Sequence, residues 1–186
     1  MEIIKTKIPG LILIQPDVFK DTRGYFFESY QKERYAKEGI TNNFIQDNES
    51  GSGFGVVRGL HYQLEPYAQT KLVRVVSGKV FDVAVDLRKG SPTFGKWLGF
   101  ELSGENQYQI LIPKGFAHGF SVLSQTVVLS YKCDNLYSGG FERSILFNDP
   151  FLNIDWMIPA ENMVISQKDK NASLFKEAEM NFNFEQ

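Results

Sequence analysis

Short apolar segments, each about the length of a β-strand, follow one another along most of this sequence, and residues that favour turns separate them. The turn signals are Ser77-Gly78 and the segments 89–92, 103–105 and 113–115. The segments predicted as strands are 11–14, 24–30, 44–47, 56–63, 71–76, 80–87, 97–102, 108–112, 115–123, 127–132 and 143–147. Many strands at this spacing predict an all-β fold, either a sandwich, a jelly roll or a closed barrel.

Only two segments have helical character, and both are expected at the periphery of the sheets. One is 31–37, which follows Ser29 and ends at Gly39, and the other is 168–180, which begins after Ser166. The strand at 80–87 alternates, so we expect its apolar side chains on the core and Asp82 and Asp86 on a face that meets something polar.

The length and the single cysteine limit the class of protein. A chain of 186 residues is expected to form one domain, 1–186, that buries roughly 70% of its unfolded-state surface without a covalent staple. Cys133 is the only cysteine, so the chain has no internal disulfide, as in proteins of a reducing compartment. The first residues lack the apolar stretch of a signal peptide, and no segment is apolar for long enough to span a membrane. We therefore expect a cytoplasmic protein without a membrane partner.

The charge is nearly balanced, with 20 basic and 22 acidic residues and a net charge of −2. Such a surface has no broad attraction for nucleic acid, so an anionic ligand has to be bound by a local cluster of cations.

The segment 58–74, RGLHYQLEPYAQTKLVR, concentrates the chemically active side chains. It holds His61, one of only two histidines, together with several cations on neighbouring strands, which predicts proton transfer on an anionic ligand. The other interpretation of His61 is a hydrogen-bonded histidine of the interior. With His118 as the only other imidazole, the chain cannot build the centre of three histidines and a carboxylate found in small β-barrels, so metal binding is not expected.

Strand alternation leaves the direction of these side chains open. Arg58 and His61 have opposite parity and would point to opposite faces of a regular strand, unless Gly59 carries a β-bulge. Lys71 and Arg74 also differ in parity, so we expect one of them in a cavity and the other toward solvent.

Three long motifs are more specific than the periodicity of apolar residues: RGLHYQ at 58–63, KLVRVVSGKVFDVAVDLRKGSPTFGKW at 71–97 and IPKGFAHGF at 112–120. Together with the segments 16–30, 44–50 and 146–156, they resemble the dTDP-4-dehydrorhamnose 3,5-epimerase family, the RmlC-type cupins, over about 16–169. The resemblance implies a double-stranded β-helix, or jelly roll, that is usually a homodimer and works without a metal or other cofactor.

The resemblance also implies a substrate and a reaction. The substrate would be dTDP-4-dehydro-6-deoxy-D-glucose, whose 4-keto group acidifies the protons on C3 and C5. Removal of each proton through an enolate, followed by reprotonation on the opposite face, would give dTDP-4-dehydro-6-deoxy-L-mannose. The expected pathway is the supply of dTDP-L-rhamnose for a bacterial surface glycan.

Four positions match the family's catalytic residues. His61 matches the base, Asp169 the carboxylate that orients it, Tyr131 the acid and Lys71 the cation near the C4 oxygen. Without the resemblance, Asp169 would be interpreted as the end of a capping box that begins at Ser166, and Tyr131 as a core aromatic.

A larger set of positions matches the family's substrate contacts: Arg23, Glu28, Gln46, Asp47, Asn48, Arg58, Lys71, His118, Tyr137, Glu142 and Lys168. Arg23, Arg58 and Lys168 match contacts to the diphosphate or nearby sugar groups, which suit cations; each would otherwise be a solvated surface charge. Tyr137 matches the ring that stacks on thymine. Glu142 follows Gly139-Gly140-Phe141, which departs from the more polar residues expected there.

Two other classes of function stay open at this level. Within the same chemistry, a 3- or 5-epimerase that inverts one centre, or a 3,4-ketoisomerase, uses overlapping residues on related dTDP-keto sugars. A non-catalytic cupin that binds a nucleotide sugar is the alternative outside enzymology. The presence of both a base and an acid favours catalysis, because binding requires neither.

Overall fold

The protein is mainly β-structure in the computed structural model, which describes residues 1–184. The last two residues of the expected domain 1–186 lie outside this described part. The strands are β1 (Glu2–Lys5), β2 (Ile12–Gln15), β3 (Phe19–Asp21), β4 (Gly24–Phe26), β5 (Gln46–Gly53), β6 (Val56–Gln63), β7 (Lys71–Ser77), β8 (Lys79–Asp86), β9 (Trp97–Ser103), β10 (Gln109–Ile112), β11 (Phe116–Val122), β12 (Thr126–Cys133), β13 (Glu142–Ser144) and β14 (Val164–Ile165). The helices are α1 (Lys32–Lys37) and α2 (Gln167–Lys170), and a 3₁₀ turn covers Ala160–Asn162.

Two large sheets carry the fold. The first has the order β1-β2-β10-β7-β12-β5, and the second has the order β13-β6-β11-β8-β9 with β14 beside β6. From β6 to β12 the chain passes repeatedly between the two sheets, which is the connectivity of a jelly roll. The predicted all-β jelly roll with short peripheral helices is therefore confirmed. The remaining strands, β3 and β4, form a separate hairpin.

Three apolar cores arrange the molecule in layers. The inner core lies between the sheets and draws on β7, β10 and β12 from one side and on β8 and β11 from the other. A second core covers the outer face of the second sheet with the C-terminal segment, including Leu152, Trp156 and Phe175. A third covers the outer face of the first sheet, where Tyr35 of α1 packs with Ile14 and Leu72. The central strands of both sheets are consequently covered on both faces, whereas one face of β5 is exposed.

This layering changes the interpretation of β8. Val83 and Val85 lie in the C-terminal core as expected. The opposite face is also buried, because Val80 and Ala84 belong to the inner core. Asp82 and Asp86 lie on that inner face and are both 0% exposed. The predicted polar surroundings thus consist of particular partners for two buried carboxylates.

The predicted helix at 31–37 is confirmed as α1, which begins after Gln31, whose side chain accepts a hydrogen bond from the Arg34 backbone. The predicted helix at 168–180 is wrong beyond Lys170, where α2 ends with Asn171 as its C-cap. The following residues form hydrogen bonds to other parts of the fold instead; the backbone N–H of Phe175, for example, donates to Asp149 at 2.8 Å. Tertiary packing here overrides local helix propensity.

The strand predicted at 24–30 is also too long, because pairing ends with Phe26 at the close of the hairpin. Within residues 1–184, no helix combines the length and the apolar character that crossing a membrane requires.

Candidate active site

A β-bulge in β6 brings the two key side chains of that strand to the same side. His118 of β11 pairs with His61 and Phe120 pairs with Arg58, so β6 has an extra residue between the two pairs. Gly59 lies in this bulge with a φ of +118°, and a Cβ there would lie 2.5 Å from the Cα of Gly119. Only glycine fits. The parity difference between Arg58 and His61 is thereby cancelled, and both line the same cavity.

This cavity lies between the two sheets and has a volume of about 150 Å³. Its lining residues are Ser50, Arg58, His61, Lys71, His118, Gly119, Phe120 and Tyr131. His61 comes from the second sheet, and Lys71 and Tyr131 come from adjacent strands of the first. Lys71 is the residue of its strand that enters the cavity, whereas Arg74 packs over the ring of Phe27 outside it, with 5.7 Å between the guanidinium carbon and the ring centre.

The imidazole of His61 is held by a buried carboxylate. His61 Nε2 donates to Asp169 Oδ1 at 2.6 Å, and Asp169 is only 3% exposed. Burial acts to raise the pKa of Asp169, but the hydrogen bond and the positive charge available on His61 hold it below its ordinary value. The capping interpretation is also satisfied, because the Asp169 backbone N–H donates to Ser166 Oγ at 3.1 Å. One residue thus ends a cap through its backbone and holds the His61 imidazole through its side chain.

The opposite wall provides a phenol and an ammonium. Burial raises the pKa of the Tyr131 phenol, with Arg58 acting in the other direction, so the ring keeps its proton at neutral pH. Burial lowers the pKa of Lys71, opposed by the negative charges of Asp82 and Glu142. The Lys71 ammonium lies 5.8 Å from the centre of the Tyr131 ring. A proton acceptor, a proton donor and a cation therefore surround one cavity.

Two further residues of the cavity have partners of their own. His118 Nε2 donates to Asp82 Oδ2 at 2.8 Å in the interior. Arg58 Nε donates to Ser52 Oγ at 3.1 Å, which directs the guanidinium along β5. His61 and Arg58 also line an adjoining cavity of about 450 Å³ that extends to Lys168.

The predicted binding residues at the rim form a connected group. Glu142 Oε2 accepts hydrogen bonds from Lys168 Nζ at 2.6 Å and from the Tyr137 hydroxyl at 3.0 Å. Partial burial acts to raise the pKa of Glu142, but these two donors hold it below its ordinary value. The Tyr137 ring is 59% exposed, so one face is available to a flat ligand. Its backbone N–H donates to Gln46 Oε1 at 3.0 Å, and Gln46 in turn donates to Asn48 at 3.1 Å.

Three predicted binding residues are not brought to the cavity. Asp47 has the opposite parity to Gln46 and Asn48 on β5, and its carboxylate pairs with Lys132 at 2.9 Å on the outer face. Arg23 pairs with Asp21 within the β3–β4 hairpin. Glu28 binds Arg34 of α1 at 2.7 Å. Sequence position alone does not reveal that these side chains point elsewhere.

Asp82 is the functional candidate that the resemblance did not supply. Its signal was present in the sequence as an acidic residue on an otherwise apolar, alternating strand, but only the fold shows that His118 is its partner. Ser52 gave no signal before β5 and β6 were seen to lie together.

Across residues 1–184, no cluster of three or more histidine, cysteine, aspartate or glutamate side chains is arranged to hold a metal ion. The side chains around the cavity are instead suited to removing a proton on one side of a small molecule, returning a proton from the other and stabilising negative charge between them.

Known proteins share this sequence and fold over nearly their whole length. Residues 5–177 match the profile of the dTDP-4-dehydrorhamnose 3,5-epimerase family. The protein of that name from Shigella flexneri is 53% identical over 180 residues, which cover 96% of this chain and 98% of that one.

Solved structures agree. The dTDP-4-dehydrorhamnose 3,5-epimerase of Elizabethkingia anophelis is 52% identical with a TM-score of 0.91, and the match covers 95% of this chain and 97% of that one. RmlC of Legionella pneumophila, solved with dTDP-4-keto-L-rhamnose, is also 52% identical with a TM-score of 0.91, over 95% of this chain and 93% of that one. This chain therefore belongs to the dTDP-4-dehydrorhamnose 3,5-epimerase family.

Proposed function

We propose that this protein is a dTDP-4-dehydrorhamnose 3,5-epimerase that converts dTDP-4-dehydro-6-deoxy-D-glucose into dTDP-4-dehydro-6-deoxy-L-mannose for dTDP-L-rhamnose synthesis. The observation that carries the proposal is that His61 and Tyr131 line one cavity from opposite sheets. Two proton-transfer groups on opposite walls are what inversion of a carbon centre requires, because the proton must leave one face and return to the other.

The proposed mechanism uses each group at a stated step. His61 removes the proton from C3 or C5, and Asp169 stabilises the imidazolium that forms. The electron pair moves into an enolate whose oxygen, the former C4 carbonyl oxygen, is stabilised by Lys71. Tyr131 then donates its proton to the carbon from the opposite face, and exchange with solvent restores both groups. A second round inverts the other carbon.

The rim group is suited to the nucleotide part of the substrate. Tyr137 would stack on thymine, while Arg58 and Lys168 lie along the adjoining cavity where the diphosphate would pass. Glu142 holds both Tyr137 and Lys168 in place, and Gln46 and Asn48 continue this polar surface.

The test is solvent exchange. The protein is incubated with dTDP-4-dehydro-6-deoxy-D-glucose in D₂O, and deuterium at C3 and C5 is followed by NMR. We expect label at both carbons. Label at only one would replace the proposal with a single-centre epimerase, and binding without label would replace it with a nucleotide-sugar-binding cupin.

The His61→Ala variant tests the role of the base. Because the remaining contacts to the nucleotide stay in place, the variant should bind substrate with little change in Kd, while exchange at both carbons falls by at least about 10²-fold. Unchanged turnover with unchanged affinity would contradict the assignment of His61.

We also propose a homodimer, which the β3–β4 hairpin supports. Phe19 and Phe26 are 63% and 68% exposed on it, and Tyr25 is 55% exposed, an apolar surface of the kind that a second copy covers. In such a dimer Arg23 and Glu28 would serve the cavity of the partner subunit. Mixing the inactive variants Arg23→Ala and His61→Ala should then restore part of the activity, whereas no recovery would place Arg23 outside the partner's site.

A cytoplasmic location and a single domain complete the proposal. Access to a nucleotide sugar inside the cell supports the first, and the inner core shared by both sheets supports the second. Fractionation of cells and a single cooperative unfolding transition are the respective measurements.

A further inference from the structure

The loop that carries Tyr137 has little regular structure of its own. Residues 134–141, between β12 and β13, form neither a helix nor a strand. Leu136 and Tyr137 are 55% and 59% exposed, and Gly139 and Gly140 follow them. An exposed loop with two adjacent glycines samples many conformations unless hydrogen bonds restrict it. The conformation of this loop therefore depends on the groups that bind its backbone.

The side chain of Gln63, on β6, binds the backbone on both sides of Tyr137. Its Nε2 donates to the carbonyl oxygen of Leu136 at 3.2 Å, and its Oε1 accepts from the backbone N–H of Ser138 at 2.6 Å. Nε2 also donates to the carbonyl oxygen of Tyr67 at 2.7 Å. A glutamine amide has two donor protons and one acceptor oxygen, so both ends of this side chain are used. Tyr137 is thus flanked by two hydrogen bonds to one side chain.

Gln63 is itself firmly held. It is 6% exposed, and it pairs with Glu142 in the register of β6 and β13. Glu142 accepts a hydrogen bond from the Tyr137 hydroxyl at 3.0 Å. The strand register therefore places side by side the residue that holds the backbone around Tyr137 and the residue that holds its hydroxyl. His61 precedes Gln63 by two positions on the same strand, so the ring is attached to the strand that carries the proposed base.

We propose that Gln63 is a positioning residue for nucleotide recognition, which holds the Tyr137 ring in place before the nucleotide binds. This inference rests on the proposed function for the identity of that nucleotide, dTDP. A ring that is already ordered loses little conformational entropy on binding, so more of the stacking energy contributes to affinity. Because Gln63 acts through Tyr137, it should affect binding and leave the chemical step unchanged.

The variant Gln63→Met keeps the length of the side chain and removes all three hydrogen bonds. The Kd of dTDP, measured by titration calorimetry, should rise by about 5- to 100-fold, the range expected for the loss of a base–aromatic stack. The Kd of inorganic pyrophosphate, which has no base, should be unchanged, and KM for the keto sugar should rise with little change in kcat. A purely structural role would weaken both ligands and lower kcat. An unchanged Kd for dTDP would overturn the proposal.

A double-mutant cycle with Tyr137→Ala tests whether Gln63 acts through the ring. If it does, Gln63→Met should add little to the loss of dTDP affinity in a chain that already lacks the ring, so the two effects are not additive. An equal loss in both backgrounds would contradict the proposal, because it would show that Gln63 acts elsewhere in the site.

Gln69→Met is the matched control. Gln69 Nε2 donates to the carbonyl oxygen of Asn135, in the same loop, at 2.8 Å. Asn135 keeps its own hydrogen bonds to the carbonyl oxygens of Pro66 and Ala68, at 3.0 and 3.4 Å, so the loop should stay in place. The Kd of dTDP should be unchanged in this variant. An equal loss of affinity in Gln69→Met and Gln63→Met would contradict a specific role for Gln63.

Hydrogen exchange in the wild-type protein gives a test that does not require any variant to fold. The backbone N–H of Ser138 donates to Gln63, so in the free protein it should exchange at least about 10-fold more slowly than in an unfolded chain. Exchange at the unfolded rate would overturn the proposal.

Failure of the proposed function would give a different result. A wild-type protein that binds dTDP but turns over no keto sugar would refute the epimerase, and the dTDP affinities of the variants would still decide the role of Gln63. Normal turnover with equal dTDP affinity in the wild type and Gln63→Met would refute the role of Gln63 alone.

Discussion

The Lys71 ammonium is required by the proposed chemistry and is unfavourable for the fold, so removing it should have opposite effects on the two. Among residues 1–184, its environment contains charges at a distance but no hydrogen bond or ion pair, and burial lowers its pKa. Replacing the ammonium by the apolar end of methionine keeps the length of the side chain. Lys71→Met therefore separates the charge from the packing.

The expected size follows from these contacts. An unpaired polar group that is taken out of water costs about 1–3 kcal/mol in proteins, so Lys71→Met should raise the free energy of unfolding by about that amount. For a chain of this length, each kcal/mol corresponds to about 2–4 °C in Tm. In contrast, the loss of a group that stabilises an oxyanion should lower kcat by about 10²–10³-fold.

The pH dependence of stability tests independently whether the charge of Lys71 destabilises the folded protein. The pKa of Lys71 in the folded protein lies below the ordinary 10.5, so the unfolded chain binds the extra proton between these two values. The penalty is therefore fully present at neutral pH and disappears as the pH rises toward 10.5. The gain from Lys71→Met should shrink over the same window.

Urea unfolding and steady-state kinetics measure both effects, and Lys79→Met is the matched control. Lys79 is a surface cation of β8 that pairs with Glu101 at 3.0 Å, and its side chain is 40% exposed. Its replacement should change stability by less than about 0.5 kcal/mol and leave kcat unchanged. A loss of stability in Lys71→Met would refute the reasoning, because it would show that the ammonium has a stabilising partner in the fold.

Two further predictions concern how His61 is held. Gly59→Ala should destabilise the protein by at least about 1–3 kcal/mol from backbone strain alone, and it should lower kcat because the bulge that aims His61 cannot form. Gly90→Ala is the control, since its φ is +81° and nothing lies within 4 Å of the added Cβ. In that variant urea unfolding should show only the cost of the strain, and kcat should be unchanged. Asp169→Asn should lower kcat by about 10²–10⁴-fold. Since the pKa of Asp169 lies below its ordinary 3.8, its charge stabilises the folded state at neutral pH, and this contribution is lost as the pH falls below 3.8 through the folded pKa. The free energy of unfolding, measured from neutral to acidic pH, should fall less steeply in Asp169→Asn than in the wild-type protein. Equal slopes in the two proteins would contradict the pairing of Asp169 with His61.

Local patterns in the sequence were sufficient to predict the class of fold. Short apolar segments between turn residues predicted an all-β protein, and the structure has strands at nearly all of these segments. Local patterns were insufficient at the C-terminus, where the segment after Lys170 was predicted as a helix. There Phe175 and Phe182 pack on the second sheet, and contacts with residues distant in sequence decide the conformation.

The motifs identified the family and the candidate site residues, but they did not show in which direction each side chain points. Asp47 and Asn48 are adjacent in the sequence, yet Asp47 pairs with Lys132 on the outer face while Asn48 lies with Gln46 at the rim. The partner of His118 was equally hidden, because Asp82 lies 36 positions away on another strand.

The sequence by itself thus determined the kind of fold, the family and the supply of imidazoles, phenol and cations. Only the tertiary structure decided which of them share a cavity, through the bulge at Gly59 and the pairing of β6 with β11. The physical reason is that a strand alternates its side chains locally, whereas a break in that alternation depends on the neighbouring strand against which the chain packs.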